Sequence, residues 1–336
     1  MVGAGDLELK MRCFDKYDSA LAQEVGLFLE KNPEPVFNAE FLELASDYVS
    51  IMLRPGRFNR TAVRTALNYC RKAIALKIGS SLRERHHLRR ALYLDGSHFC
   101  MHLAETSESS RDRVLFFQEA FQYNRGIVAT TVDEDRRAKQ CSFQSQIATH
   151  IANDLKQEFR EGAFEWMLRA AVARLKAARI AESLGSSRAS SLYNSAANRK
   201  YDAFLIMPEN VRSAGLLDDA VELGKKAETF AGGGFRAARI HLNLGKFYAQ
   251  RHHLSGDRSD LGFAIHYYRR VEQFCDLHSD SWSQDHYAPV KETLKNLSAE
   301  RTEQDPELIE KPGKRKNKKE NARKIIEDGL DEYYSR

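Results

Sequence analysis

One eleven-residue pattern, written three times along the chain, restricts the fold more than any other feature. It reads Ala66-Leu-Asn-Tyr-Cys-Arg-Lys-Ala-Ile-Ala-Leu76, then Ala220-Val-Glu-Leu-Gly-Lys-Lys-Ala-Glu-Thr-Phe230, then Ala264-Ile-His-Tyr-Tyr-Arg-Arg-Val-Glu-Gln-Phe274. Offsets of 0, 4, 7 and 10 from the opening alanine fall on one side of a 3.6-residue helix, so each copy predicts a helix with one buried stripe. Residues 120–130 form a looser copy, and Ala171, Leu175 and Ala178 a fifth, weaker one. The opening alanines (Ala66, Ala120, Ala171, Ala220, Ala264) stand 54, 51, 49 and 44 residues apart. Self-similarity at about 20–50 residues marks a solenoid of stacked units. Units at the top of that range are long helical hairpins, or shorter ones with inserted loops.

A partner helix is legible upstream of the pattern. Phe41-Leu-Glu-Leu44-Ala45-Ser-Asp-Tyr48 places aromatic, apolar, small and aromatic residues at offsets 0, 3, 4 and 7, and His241-Leu-Asn-Leu244-Gly245-Lys-Phe-Tyr248 repeats the arrangement. This resembles the first helix of a tetratricopeptide repeat, W-x2-L-G-x2-Y, and the Ala66, Ala220 and Ala264 blocks look like that family's second helix. The resemblance is good over residues 38–78 and 235–275, partial over 188–231 and weak over 83–182. It implies an all-α fold, a right-handed solenoid of about five helical hairpins, whose first helices line a concave face that takes a peptide or a partner protein. The loops within units read as longer than the family's, and the helix-closing proline is absent.

Carried onto this chain, the residues that would face a partner are Leu42, Ser46, Val49 and Leu53 in the first unit. Asn194, Asn198 and Tyr201 hold those places in the fourth, and Leu242, Lys246, Ala249 and His253 in the fifth. The family's carboxylate clamp needs Lys, Asn and Arg at fixed places in three consecutive units, and it does not assemble here.

Three segments follow. Residues 1–37 carry one amphipathic helix from about Ser19 to Lys31, ended by Asn32-Pro-Glu-Pro35 and suited to cap the array. Residues 38–300 hold the hairpins, with turns expected near Gly162, around Pro208 and Gly215, at Gly232-Gly-Gly234, and at an enlarged loop, Ser255–Asp260. Capping boxes at Ser81-Leu-Arg-Glu84 and Ser281-Trp-Ser-Gln284 open helices, the latter a C-terminal cap reaching about Leu297. Residues 301–336 read as a disordered basic linker and a short helix.

The charge is uneven. Residues 311–324 hold eight Lys/Arg and one Glu, so the tail carries +7 of a net +5 and leaves −2 for the rest. Lys314, Arg315, Lys316, Lys318 and Lys319, with Arg83, Arg85, Arg89 and Arg90 and the run Arg54, Arg57, Arg60 and Arg64, suggest salt-sensitive contact with RNA or DNA, or a nuclear-localisation signal. No base-reading module accompanies them.

Nothing points to catalysis or a cofactor. Gly245-Lys246 lacks the rest of a phosphate-binding loop, and no Ser or Cys sits in a nucleophile elbow. His98 and His102 share a helix face, but Phe99 stands where a zincin needs glutamate. The five cysteines are scattered and read as buried thiols rather than zinc ligands or a disulfide framework. No apolar run approaches a membrane span and no secretory signal opens the chain, so a cytoplasmic or nuclear protein is expected. The sequence therefore predicts a non-catalytic protein–protein scaffold, with nucleic-acid association through the basic segments as the alternative.

Overall fold

The structure, a computed structural model, describes residues 10, 19–32, 45, 49, 60–77, 82–208 and 212–304. Among them run eleven α-helices and no strand: α1 (Ser19–Lys31), α2 (Arg60–Lys77), α3 (Leu82–Glu105), α4 (Ser110–Thr130), α5 (Glu134–Leu155), α6 (Arg160–Ser183), α7 (Ala189–Ile206), α8 (Ala214–Thr229), α9 (Gly234–Ser255), α10 (Arg258–Leu277) and α11 (Ser281–Gln304). The protein is an all-α helical solenoid. Each helix packs on its neighbours in sequence, and among the described residues only α7 and α9 also meet substantially across an intervening helix. The core is correspondingly drawn out. One apolar cluster runs from α1 to α7, a second from α5 to α10, and a third joins α9 to α11.

The repeated stripe is what these helices bury. All five opening alanines are buried. So are Cys70, Asn124, Gly224 and Tyr268 at the fourth offset, and Ala73, Ile127, Ala178, Ala227 and Val271 at the seventh. The tenth offset departs from expectation. Phe230 caps the end of α8 and is exposed, while Phe274 is half-buried and Cys275 takes the core. Eleven residues return close to the starting angle of a helix whereas ten fall about 80° short, so the stripe is resumed one residue later than the pattern suggested.

Small residues set the approach of neighbouring helices. A Cβ on Gly96 of α3 would stand 2.8 Å from the ring of Tyr123 on α4, and one on Gly126 of α4 would stand 2.6 Å from the ring of Tyr93 on α3. Each helix thus gives a glycine to the other's tyrosine, and the two ring centroids lie 6.3 Å apart. Gly245 of α9 does the same for Tyr268 of α10, at 3.1 Å. In that pair the small residue of the Leu244-Gly245 step has a direct steric role.

The connections are tighter than the sequence suggested. Ser255–Asp260 is no enlarged loop: α9 runs through Ser255 and α10 begins at Arg258. Gly256 adopts φ 72°, a left-handed conformation that favours glycine, and its N–H donates to the His252 carbonyl at 2.7 Å. Asp257 then caps α10, accepting from Ser259 N at 2.9 Å. The turn expected at Gly162 lies at 156–159, and Gly162 sits inside the first turn of α6. Asp280, not Ser281, caps α11, its two carboxylate oxygens accepting from the amide and the hydroxyl of Ser283 at 3.0 Å each. That helix continues to Gln304, past the expected end. Gly232, Gly233 and Gly234 all take positive φ and form the expected turn between the fourth and fifth hairpins.

The N-terminal helix has its expected bounds. Leu21, Val25 and Leu29 are buried, Leu27 is exposed, and the Tyr69 hydroxyl on α2 donates to the Asn32 carbonyl at 2.7 Å. Cys70, Cys100, Cys141 and Cys275 are buried and free, and burial raises the pKa of each thiol. No helix among the described residues is long and apolar enough to cross a membrane. The first helix of the first unit (apart from Ala45 and Val49), the Ser81 capping box, Cys13 and the basic tail lie outside the described residues.

Candidate functional site: a polar groove between α7 and α9

These two helices open the fourth and fifth hairpins and touch directly. Asn243 Nδ2 donates to Asn194 Oδ1 at 3.0 Å, and the rings of Tyr201 and Phe247 lie 5.1 Å apart. Beside the amide pair a groove of about 270 Å³ opens. Ser191, Asn194, Ser195, Asn198 and Arg199 form its α7 wall, and Arg236, Arg239 and Ile240 its α9 wall. On α7 the spacing of three and four residues puts these side chains on one face. The lining contains three guanidinium groups and no carboxylate.

The guanidinium groups are held differently. Arg199 Nη1 donates to Asp202 Oδ2, one turn on, at 2.9 Å, while its Nε is buried without a partner. Arg236 and Arg239 are exposed; Arg236 donates to the Ser187 carbonyl at 3.3 Å, and Arg239 lies 5.7 Å from the ring of Phe235. A fourth arginine, outside the lining, lies close enough to Arg199 for their charges to interact. Arg174 of α6 is only 9% exposed. Its Nη1 donates to the Ser142 hydroxyl on α5, its Nε has no partner, and it forms no ion pair with a described carboxylate. Burial, then the charges of Arg199 and Arg188, pull its pKa down to about 10. A buried cation without a counter-ion is costly, and here it sits among like charges.

The structure separates the residues expected to meet a partner. Asn194 and Asn198 line the groove. Tyr201 is half-buried between Phe204 and Phe247, at the α7–α9 contact rather than in the groove lining. Lys246 is exposed two turns beyond Arg239 on the same side of α9, and His253 is exposed two turns further still. Ala249 is half-buried against the core. Leu242 is a correction: it is buried with Leu261, Ile265 and Tyr268, because its side of α9 faces α10 and α11. Val49 is a second, with no exposure at all, packed into the N-terminal cluster. Leu42, Ser46 and Leu53 lie outside the described residues, as do Lys314, Arg315, Lys316, Lys318 and Lys319. Arg83, Arg85, Arg89 and Arg90 fall on the first turns of α3, with their side chains outside the described part of the structure.

Arg174, Arg199, Arg236 and Arg239 were not singled out by the sequence. Their signal was there in part. Arg174 interrupts an alanine stripe made by Ala170, Ala171, Ala173, Ala177 and Ala178, where a polar residue is out of pattern. One polar cluster elsewhere is closed. Glu228 accepts from His241 Nε2 at 2.9 Å, Arg270 at 2.8 Å and the Tyr267 hydroxyl at 3.2 Å, tying α8, α9 and α10 together. Among the described residues no three His, Cys, Asp or Glu side chains are grouped to hold a metal ion.

What the helices define is a class, the all-α helical repeat proteins. No protein-family model matches the chain, and no curated protein matches it. Among solved structures it is similar to a de novo designed helical repeat protein, at 14% identity over 88% of this chain and 100% of that one, with a TM-score of 0.17. A chain from the computational design of self-assembling cyclic homo-oligomers is similar at 13% identity, over 88% and 99%, with a TM-score of 0.17. Scores that low carry no argument, so the fold assignment rests on the helices themselves.

Proposed function

We propose that this is a tetratricopeptide-like, non-catalytic scaffold that holds an extended segment of a partner protein in the α7–α9 groove. The observation that carries the reading is the groove's lining: amide, hydroxyl and guanidinium donors from two first helices, with no acid among them. Such donors suit the carbonyls and acidic side chains of an extended chain. The Gly245–Tyr268 contact supports the tetratricopeptide-like step, because it uses the small residue of that motif for close helix approach.

The test is selection of twelve-residue peptides against the full chain, followed by rescreening on Asn198→Trp, which fills the groove. Selected peptides should lose the variant. Peptides that bind both proteins equally would sink the reading.

Nucleic-acid association is the second reading. It has one observation of its own, a hollow of about 640 Å³ across α4, α5 and α6 lined by Arg125, Arg137 and Lys176 without a carboxylate. Fluorescence anisotropy with mixed-sequence RNA and duplex DNA, comparing the full chain with one ending at Ala299, decides it. Salt-sensitive binding by the shorter chain supports it, and no binding by either removes it.

A further inference from the structure

We infer that the α7–α9 groove receives a phosphorylated side chain on the partner segment, with Arg199, Arg236 and Arg239 as its donors and Arg174 as a buried charge behind Arg199. This rests on the groove being the partner site. Charge is the first argument. The lining supplies three guanidinium groups and no carboxylate, only Arg199 being paired, with Asp202 just outside it, and a phosphate monoester brings about −1.5 to −2 charges and three acceptor oxygens at neutral pH, where a carboxylate brings one charge. Guanidinium forks match such an oxyanion in two-point contact.

Unsatisfied donors are the second argument. Folded proteins leave few buried polar groups without a partner, yet here the Nε of Arg174 and the Nε of Arg199 are both buried and unpartnered. Arg174 is more than nine-tenths buried, and its side-chain partner is the Ser142 hydroxyl rather than a carboxylate. A dianion at Arg199 would supply the counter-charge this group lacks, in surroundings where Coulomb terms are weakly screened. Arg174 is therefore a positioning residue, acting through the field at Arg199.

Size and surface chemistry favour a protein segment over RNA. About 270 Å³ accommodates a side chain and its flanks. The lining offers no aromatic ring, and single-stranded nucleic acids are gripped by stacking bases on such rings.

The experiment titrates the full chain into three fluorescein-labelled nonapeptide libraries, identical except for a central phosphoserine, glutamate or serine. The phosphoserine library should bind at least tenfold more tightly than the glutamate library, and inorganic phosphate should compete. Arg236→Gln combined with Arg239→Gln should abolish the preference, whereas Lys291→Gln on α11 should not. Arg174→Met should shrink the phosphoserine-to-glutamate ratio severalfold while leaving the far-ultraviolet circular dichroism unchanged. Equal, groove-dependent binding of the phosphoserine and glutamate libraries overturns the phosphate inference and leaves the partner site standing. Binding by no library, or binding indifferent to the arginine variants, overturns both. Displacement of phosphopeptide by mixed-sequence RNA at lower concentration would reassign the groove to nucleic acid.

Discussion

The α3–α4 hairpin and the α7–α9 contact bring helices together with opposite chemistry. In the first, two glycines and two tyrosines interlock, and the rings occupy the space that side chains would have filled. In the second, an amide pair bridges the helices beside a groove of guanidinium and hydroxyl groups. Where the rings interlock no groove is left open, and the contact holds two helices in one register, although Ser97 Oγ and Asn124 Oδ1 on the same helices are also buried without a partner. The polar contact keeps donors in reserve, including the buried Nε of Arg199, which has no partner. Stability is concentrated in one place and recognition capacity in the other.

Mutations can break that contrast, and the largest effects belong to the dry hairpin. Tyr123→Ala should destabilise the protein by about 3–5 kcal/mol, since it empties a buried aromatic site and leaves Gly96 facing a void. Urea unfolding followed by circular dichroism measures it, and a loss below about 1 kcal/mol would mean that the interlock is incidental. Gly96→Val approaches the same contact from the other side, forcing atoms into the Tyr123 ring at a cost of about 1–3 kcal/mol. Its unfolding midpoint should fall despite the better helix propensity of valine over glycine.

In the polar region the signs differ. Arg174→Met should raise stability by about 1 kcal/mol, because it removes a buried, uncompensated charge in favour of an apolar side chain of similar length. Thermal unfolding would show it, and a fall in Tm would indicate that the guanidinium has a partner which these contacts do not include. Asn194→Ala should cost the least, about 0.5–1.5 kcal/mol, as it removes the acceptor of one Asn243 hydrogen bond at a half-wet site. If Asn194→Ala proved as damaging as Tyr123→Ala, the two contacts would not differ in kind.

Sequence reading reached the stripes and missed the edges, for physical reasons. The opening alanines and the residues four and seven along were legible because close helix packing demands small or fitted side chains there, and helical periodicity advertises them. The stretch Ser255–Asp260 misled because its serine, glycine and aspartates are the composition of a loop, yet here they finish one helix and begin the next. Asp280 displaced Ser281 as a cap for a similar reason: several adjacent residues had suitable oxygens, and only backbone geometry chooses among them. At the candidate site Asn194 and Asn198 were reached by carrying the tetratricopeptide register onto the fourth unit, and both line the groove. Arg236 and Arg239 were not, because they precede the motif on α9 and matter only through the distance to α7. Leu242 was misplaced by the same register argument, which cannot tell which neighbour a helix face will meet once a terminal helix packs against it.

The wiring of contacts between successive helices has a mechanical consequence. No described strand or distant helix pair clamps the two ends of this chain to each other, so a load applied at the termini is carried in series through one hairpin after another. Each hairpin, once pulled open, releases on the order of 150 Å of extended chain, at about 3.3–3.6 Å per residue. Because units that touch only their neighbours unfold and refold nearly one at a time, the protein should stretch in discrete steps and recoil, behaving as a short molecular spring. The interlocked α3–α4 hairpin should be its stiffest link and the α7–α9 contact a softer one.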